Sequence, residues 1–284
     1  MNNALEVKGL KKSFRDFSLR DITFAVPEGA VVGMIGENGS GKSTIVKCIM
    51  GQDVPQAGTV TIFGKDPHKN IEVHSQVGVC LDVCGLPDQF SAKDADRVFS
   101  SLYGDWDSQA FFGFLKAFGV PAGKKVRQLS KGMKAKLNFA LALSHNARLL
   151  ILDEATAGLD PVVREEILDR LREFMEDGTR SILMTSHITS DLERIADYIL
   201  YIRQGRILFM VQMDDLMNYG LARIRKEDAE LVDEGLVAAR RQEPLCTELL
   251  VNDRRSFARR YPDYVVEDVS LDQVIVMLSK GETK

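Results

Sequence analysis

The chain has 284 residues, room for one large domain and a small one. Its 45% hydrophobic and 27% charged content is that of an ordinary globular protein, and a net charge of −4 argues against a nucleic-acid binder with a broad basic face. No stretch approaches the roughly 18 apolar residues of a membrane helix, and residues 1–14 carry no apolar signal core, which predicts a cytosolic protein whose membrane role comes through a partner. Cys48, Cys80, Cys84 and Cys246 lack the spacing of zinc ligands and read as reduced, buried thiols.

Residues 5–25 alternate polar and apolar side chains, the pattern of antiparallel strands. Residues 30–35 read as an apolar strand, followed by a glycine-rich stretch and an amphipathic helix over 43–50. A second apolar strand covers 77–81. From about 90 to 145 strand signals vanish, and Phe111, Phe112, Leu115 and Phe118 share one helical face. That predicts a helical insert whose phenylalanine stripe is core, with a docking surface as the alternative. Strands return at 149–152, 181–185 and 199–202, with a helix over 162–176. Strand–helix alternation of this kind predicts an α/β fold with a mostly parallel sheet. After about 216 the composition shifts, and Asp214, Asp215, Asn218 and Gly220 read as a linker. Strands at 236–240 and 248–251, with helices at 254–261 and 271–279, predict a small C-terminal α+β appendage. The expected division is therefore 1–215 and 216–284. The arginine pairs 240/241, 254/255 and 259/260 read as a solvated face, with a lipid or partner contact as the alternative.

The strongest local signal is Gly36-Glu37-Asn38-Gly39-Ser40-Gly41-Lys42-Ser43-Thr44, between an apolar strand and a helix. This is the context of a P-loop. Glycines let the backbone curl so that N–H groups face phosphate oxygens, and the following helix adds its positive end. Lys42 suits the β- and γ-phosphates, and the Ser43 hydroxyl suits Mg²⁺. A second signal is the apolar run 149–152 ending in Asp153 and Glu154. Ligands of open α/β sheets bind at such C-terminal strand ends. Asp153 offers Mg²⁺ a hard oxygen ligand, and Glu154 can polarise an attacking water. Together they predict a P-loop NTPase core with an antiparallel β subdomain, the helical insert and the appendage.

Leu129-Ser130-Lys131-Gly132-Met133 precedes a helix. Here the chain resembles the ABC (ATP-binding cassette) ATPases, whose signature at this place is Leu-Ser-Gly-Gly-Gln, and the resemblance spans roughly residues 4–212. It implies ATP and Mg²⁺ as cofactors, and hydrolysis by a dimer. Phe14 matches the aromatic that stacks on adenine, a contact of roughly 0.5–1.5 kcal/mol; taken alone it reads as core. Ala157-Gly158-Leu159-Asp160 looks like the D-loop, and His187 like the switch histidine that touches the γ-phosphate. Ser130 would cap its helix and, with Gly132, reach the γ-phosphate bound to the opposite subunit. Asp82 stands where the family has its Q-loop glutamine. It would join the Mg²⁺ shell and sense the membrane subunits, with an ordinary loop-capping Asp as the alternative reading and Gln89 as a less fitting substitute. Lys131, Met133 and Ala155 also depart from the family pattern, without removing Ser130 or Gly132.

The partners implied are a transmembrane permease, whose coupling helix would enter a groove near residues 83–99, and a second nucleotide-binding subunit, identical or not. The location implied is the inner face of the cell membrane. The variant signature, Asp82 and the appendage together look like the bacterial exporters of antimicrobial peptides and related amphipathic compounds. A soluble ABC ATPase, such as the iron–sulfur assembly type, is the rival. DNA-repair and translation members need a coiled-coil or zinc insert or a second cassette, and the sequence carries none.

Overall fold

The computed structural model describes residues 2–81, 84–280 and 282–283, with Lys280 and 282–283 in backbone only. Two antiparallel strands open the chain, β1 (Asn3–Ser13) and β2 (Ser18–Pro27). Next come β3 (Val31–Ile35), helix α1 (Lys42–Ile49), β4 (Ala57–Ile62) and β5 (Val77–Leu81). Helices α2 (Ala92–Leu102), α3 (Ser108–Ala117) and α4 (Lys131–Leu143) form the insert. The chain continues through β6 (Leu149–Asp153), α5 (Pro161–Met175), β7 (Ser181–Ser186), α6 (Thr189–Ile195), β8 (Tyr198–Arg203) and β9 (Arg206–Gln212).

The central sheet has the order β5-β6-β7-β3-β8-β9, with β5, β6, β7 and β3 parallel. Every residue of β3, β6 and β7 is buried, as strands covered on both faces require. Leu149 to Leu152 are each fully enclosed, and burying one such side chain contributes about 1.5–3 kcal/mol. A second sheet, β2-β1-β4, is antiparallel throughout, and β4 had no expectation from sequence.

Capping explains where the insert helices begin. Ser91 and Asp94 close a capping box at α2, and Asp107 accepts from Ala110 N at 2.8 Å to start α3. Phe111, Leu115 and Phe118 are buried and Phe112 is half-buried, so the stripe is core. Trp106 tilts against Phe111 and donates its Nε1–H to Asp96 at 2.8 Å.

The chain divides into two compact units, residues 1–196 with 202–207, and residues 197–201 with 208–284. The second unit contains α7 (Met213–Met217), β10 (Gly220–Ile224), β11 (Val237–Gln242), β12 (Thr247–Val251), α8 (Arg254–Arg260), β13 (Val266–Glu267), α9 (Leu271–Lys280) and β14 (Glu282–Thr283). Its sheet runs β13-β10-β12-β11-β14. Ala222, Ile224, Leu249, Val251 and Phe257 centre its own core. The stretch expected as a linker is instead a helix followed by a strand: Asp214 and Asp215 sit in the first turn of α7, where acids suit the helix dipole, and Gly220 opens β10. Four of the six arginines in the three pairs form ion pairs inside this unit, Arg240 with Glu234, Arg241 with Glu243 and Glu248, Arg254 with Asp268, and Arg260 with Asp233.

Candidate functional site

The loop between β3 and α1 begins at Gly36 and curls back on itself. Gly41, at the N-cap of α1, has φ +115°, a region closed to most side chains. A Cβ at that position would also lie 2.6 Å from Leu19 Cδ2 and 2.8 Å from Phe17 Cζ, so glycine is demanded twice. The first-turn N–H groups of α1 lack intrahelical partners, which makes this end a place for anionic oxygen. Lys42 is buried and its Nζ donates to Gly36 O at 2.7 Å and Glu37 O at 3.3 Å. Ser43, Asn38 and Gly39 are exposed, Thr44 is half-buried and Ser40 is buried.

The carboxylates stand at the C-terminal edge of the same sheet. Asp153 is the last residue of β6 and is buried. Its Oδ1 accepts from Thr185 Oγ1 at 2.6 Å. Glu154 leaves the strand with φ +51°, a left-handed conformation that costs a non-glycine residue about 1–3 kcal/mol. The Glu154 N–H donates to Thr185 Oγ1 at 3.0 Å and to Thr185 O at 3.2 Å. Its side chain, 16% exposed, lies between two nitrogen partners, Lys42 Nζ 3.0 Å from Oε1 and His187 Nδ1 2.6 Å from Oε2. The lysine contact is an ion pair by distance without hydrogen-bond alignment, since Oε1 has no hydrogen-bond partner. With the carboxylate ionised, the His187 ring N–H is the donor.

Lys42, Asp153, Glu154 and His187 are thus brought together. Ser130, Gly132 and Asp160 form a second group. Ser130 caps α4, accepting from Met133 N at 3.3 Å, and Asp160 caps α5, accepting from Val163 N at 3.0 Å. The two helix starts adjoin: a Cβ on Gly132 would meet Val163 Cγ2 at 3.7 Å, and one on Gly158 would meet Lys131 Nζ at 2.6 Å. Among the described residues no hydrogen bond or ion pair joins Ser130, Gly132 or Asp160 to the first group. Asp82 lies outside the described residues.

Phe14 is 47% exposed, with Lys12 Nζ 5.5 Å from its ring centre. Phe17, which no sequence argument singled out, is the aromatic packed against Gly41. Thr185 and Asp191 were missed as well. Asp191, on α6, is buried and accepts from Thr156 Oγ1 at 2.8 Å, with Arg164 Nε at 3.9 Å. That tie links the segment after Glu154 to the helix after His187. Its only sequence signal is an acid inside a short amphipathic helix. Beside the insert, a cavity of about 330 Å³ opens between β5 and helices α2 and α4, walled by Val79, Leu86, Phe99, Tyr103 and His145.

The ligands expected for a metal here among the described residues are one carboxylate and one hydroxyl, Asp153 and Ser43. That set of hard oxygens fits Mg²⁺, which takes few protein ligands beside substrate phosphates.

The ABC transporter family profile matches residues 19–157. The chain is 33% identical to the Nod factor export ATP-binding protein I of Rhizobium sp. (strain N33), over 72% of this chain and 69% of that protein. It is 30% identical to the bacitracin transport ATP-binding protein BcrA of Enterococcus faecalis, over 84% and 78%. It is 32% identical to the lantibiotic transport ATP-binding protein SrtF of Streptococcus pyogenes, over 75% and 93%. A solved structure of an ATP-binding subunit of an ABC transporter is 26% identical, covers 98% of this chain and 100% of its own, and superposes with a TM-score of 0.73. A dimeric ATP-binding cassette in a post-hydrolysis state, bound to ADP and Pi, shares the fold at 21% identity and a TM-score of 0.65.

Proposed function

Because the chain belongs to the ABC transporter family as an ATP-binding and ATP-hydrolysing subunit, we propose that it drives an exporter of peptides or similar amphipathic compounds. The cargo class rests on the bacitracin, lantibiotic and Nod factor relatives, which are named for transport and export. Those names favour a transporter over an iron–sulfur assembly ATPase. Among the described residues no helix is long and apolar enough to cross a membrane. The transport and export relatives imply a transmembrane permease as the partner that completes the machine, with this subunit on the inner face of the cell membrane. The apolar cavity between β5 and the insert is where a helix of that permease would seat.

One observation carries the catalytic reading: Glu154 sits between Lys42 and His187 at the C-terminal edge of the sheet, next to Asp153. In this reading the α1 N-terminus and Lys42 bind the β- and γ-phosphates, displacing the lysine's present carbonyl partners. Glu154 accepts a proton from the attacking water, and His187 orients it and contacts the γ-phosphate. Mg²⁺ held by Ser43 and Asp153 would neutralise phosphate charge when bound, and Phe14 would stack on adenine. Residues 1–215 do this work. Residues 216–284, which follow every phosphate-handling motif, act as an accessory region.

Each site is shared between two chains, since Ser130 and Asp160 cap adjoining helices apart from Lys42 and Glu154. Mixing Ser130→Arg chains with Lys42→Ala chains tests this. ATP-induced dimerisation, absent in each variant alone, is expected to return in the mixture through one intact composite site. A mixture of folded chains that stays monomeric rejects the shared site.

A further inference from the structure

We propose that Thr185 is the positioning residue of the hydrolytic centre, a single hydroxyl that orients both carboxylates; this rests on the assignment of Asp153 and Glu154 to ATP hydrolysis made above. Strand order makes it possible. β7 lies between β3, which feeds the phosphate loop, and β6, which carries the acids. The last residues of β7 therefore emerge between the two halves of the site. Thr185 and Asp153 are direct partners in the parallel register. Paired residues of neighbouring strands project to the same face, so their side chains meet.

A threonine hydroxyl has one hydrogen to give and two lone pairs. An ionised Asp153 can only accept, so the Thr185 hydrogen is committed to Asp153 Oδ1 at 2.6 Å, a short charge-assisted bond. That leaves a lone pair for the Glu154 N–H at 3.0 Å, while the Thr185 carbonyl takes the same N–H at 3.2 Å. The two bonds fix each other's direction. They orient the Asp153 carboxylate and pin Glu154 in its left-handed turn, which aims its side chain at Lys42 and His187. Thr185 is fully enclosed, at 0% exposure, so water cannot replace the hydroxyl if it is removed. Valine has the same shape and no hydroxyl. Serine keeps the hydroxyl and loses only a methyl group.

The test compares Thr185→Val, Thr185→Ser and Glu154→Gln in the full chain. Four quantities are read: kcat, the Mg²⁺ concentration for half-maximal ATPase, the affinity for a fluorescent ATP analogue without Mg²⁺, and the thermal midpoint. Thr185→Val is expected to lower kcat roughly 10–100-fold, the usual loss when a residue orienting a ligand is removed. It is also expected to raise the Mg²⁺ requirement and leave metal-free analogue binding unchanged. Thr185→Ser is expected to restore the parent rate and Mg²⁺ dependence. A Thr185→Val chain with parent kcat and parent Mg²⁺ dependence overturns the proposal. So does a Thr185→Ser chain as impaired as Thr185→Val, because then packing by the methyl group matters and not the hydroxyl. If the valine variant does not fold, Thr185→Cys replaces it: the weak S–H donor lowers kcat if the hydroxyl positions the acids, and a parent rate overturns the proposal. Glu154→Gln separates the two levels. Parent activity there overturns the underlying assignment, whereas an inactive Glu154→Gln beside a fully active Thr185→Val overturns the role of Thr185 alone.

Discussion

Glu154 and Glu248 are both glutamates withdrawn from solvent and paired with cations, yet they are held in opposite ways. Glu248 is the second residue of β12, directly across from Arg223 on β10 and Arg241 on β11. Arg223 Nε donates to Oε1 at 2.9 Å and Arg241 Nη2 to Oε2 at 2.6 Å. Arg223 Nη1 continues to Glu267 Oε2 at 2.8 Å, a diagonal contact because Glu267 pairs with Leu221, so charges alternate across the sheet. Its backbone is ordinary strand and both its oxygens are taken by guanidinium groups. Glu154 sits just past a strand end in a left-handed conformation, and its partners Lys42 and His187 come from the first turn of α1 and from the exit of β7. A structural charge is saturated by in-register neighbours and asks nothing of the backbone. A chemical charge is placed at an edge, on strained backbone, with partners that a substrate can exchange.

That contrast breaks if variants at the two places affect the same measurement. The largest effect is expected at the first. Lys42→Met removes a charge-assisted phosphate contact of about 1.5–3 kcal/mol, so ATP affinity should fall roughly 10–100-fold while the thermal midpoint moves little. Titration with a fluorescent ATP analogue checks this, and a large loss of stability with affinity intact would place Lys42 in the structural class. Glu248→Gln comes next. It leaves two arginines short of a counter-charge and should cost about 1–2 kcal/mol, less than in a sealed interior because Arg223 and Arg241 remain partly exposed. In a unit of this size each kcal/mol lowers the midpoint by roughly 4–8 °C, which calorimetry resolves, and ATPase activity should not change.

The smallest effect sharpens the comparison with a third buried group whose environment is set by burial more than by charge. His145 packs against Tyr103, with ring centres 4.5 Å apart, and burial pushes its pKa below the ordinary histidine value. The folded state thus resists protonation that the unfolded chain accepts. Stability contributed this way is complete above the ordinary histidine pKa of about 6.5 and is lost as pH falls toward the depressed value. The slope from one proton cannot exceed about 1.4 kcal/mol per pH unit. Thermal midpoints between pH 7.5 and 5.5 should fall more steeply for the parent than for His145→Gln.

Much of the proposed catalytic edge can be traced in the sequence, because its residues lie in local stretches. The loop Gly36–Thr44 and the run ending in Asp153 and Glu154 each carry strand, turn and functional side chain in one contiguous stretch. The strands expected at 77–81, 149–152 and 181–185 were likewise readable, since burial on both faces leaves apolar runs such as Leu149 to Leu152 and Ile182 to Met184. Other strands escaped. β4 is exposed over its first half, β10 is short and interrupted by Arg223, and the apolar run 207–211 of β9 went unread. The second unit's first helix was mistaken for a linker because acids and Asn-Gly-type residues serve both helix starts and loops.

Sequence alone pointed to residues that could handle phosphate and located the central apolar strands and the amphipathic helices of the first unit, since hydrophobic period and glycine placement act over a few residues. It could not order the strands. That β7 lies between β3 and β6 depends on which buried faces pack best over long separations in the chain. The same choice decides that Thr185 meets Asp153, that Glu154 reaches both Lys42 and His187, and that Asp191 meets Thr156. A threonine at the end of an apolar strand is unremarkable until its neighbour across the sheet is known, because a hydrogen bond is made by two positions and a sequence describes them one at a time.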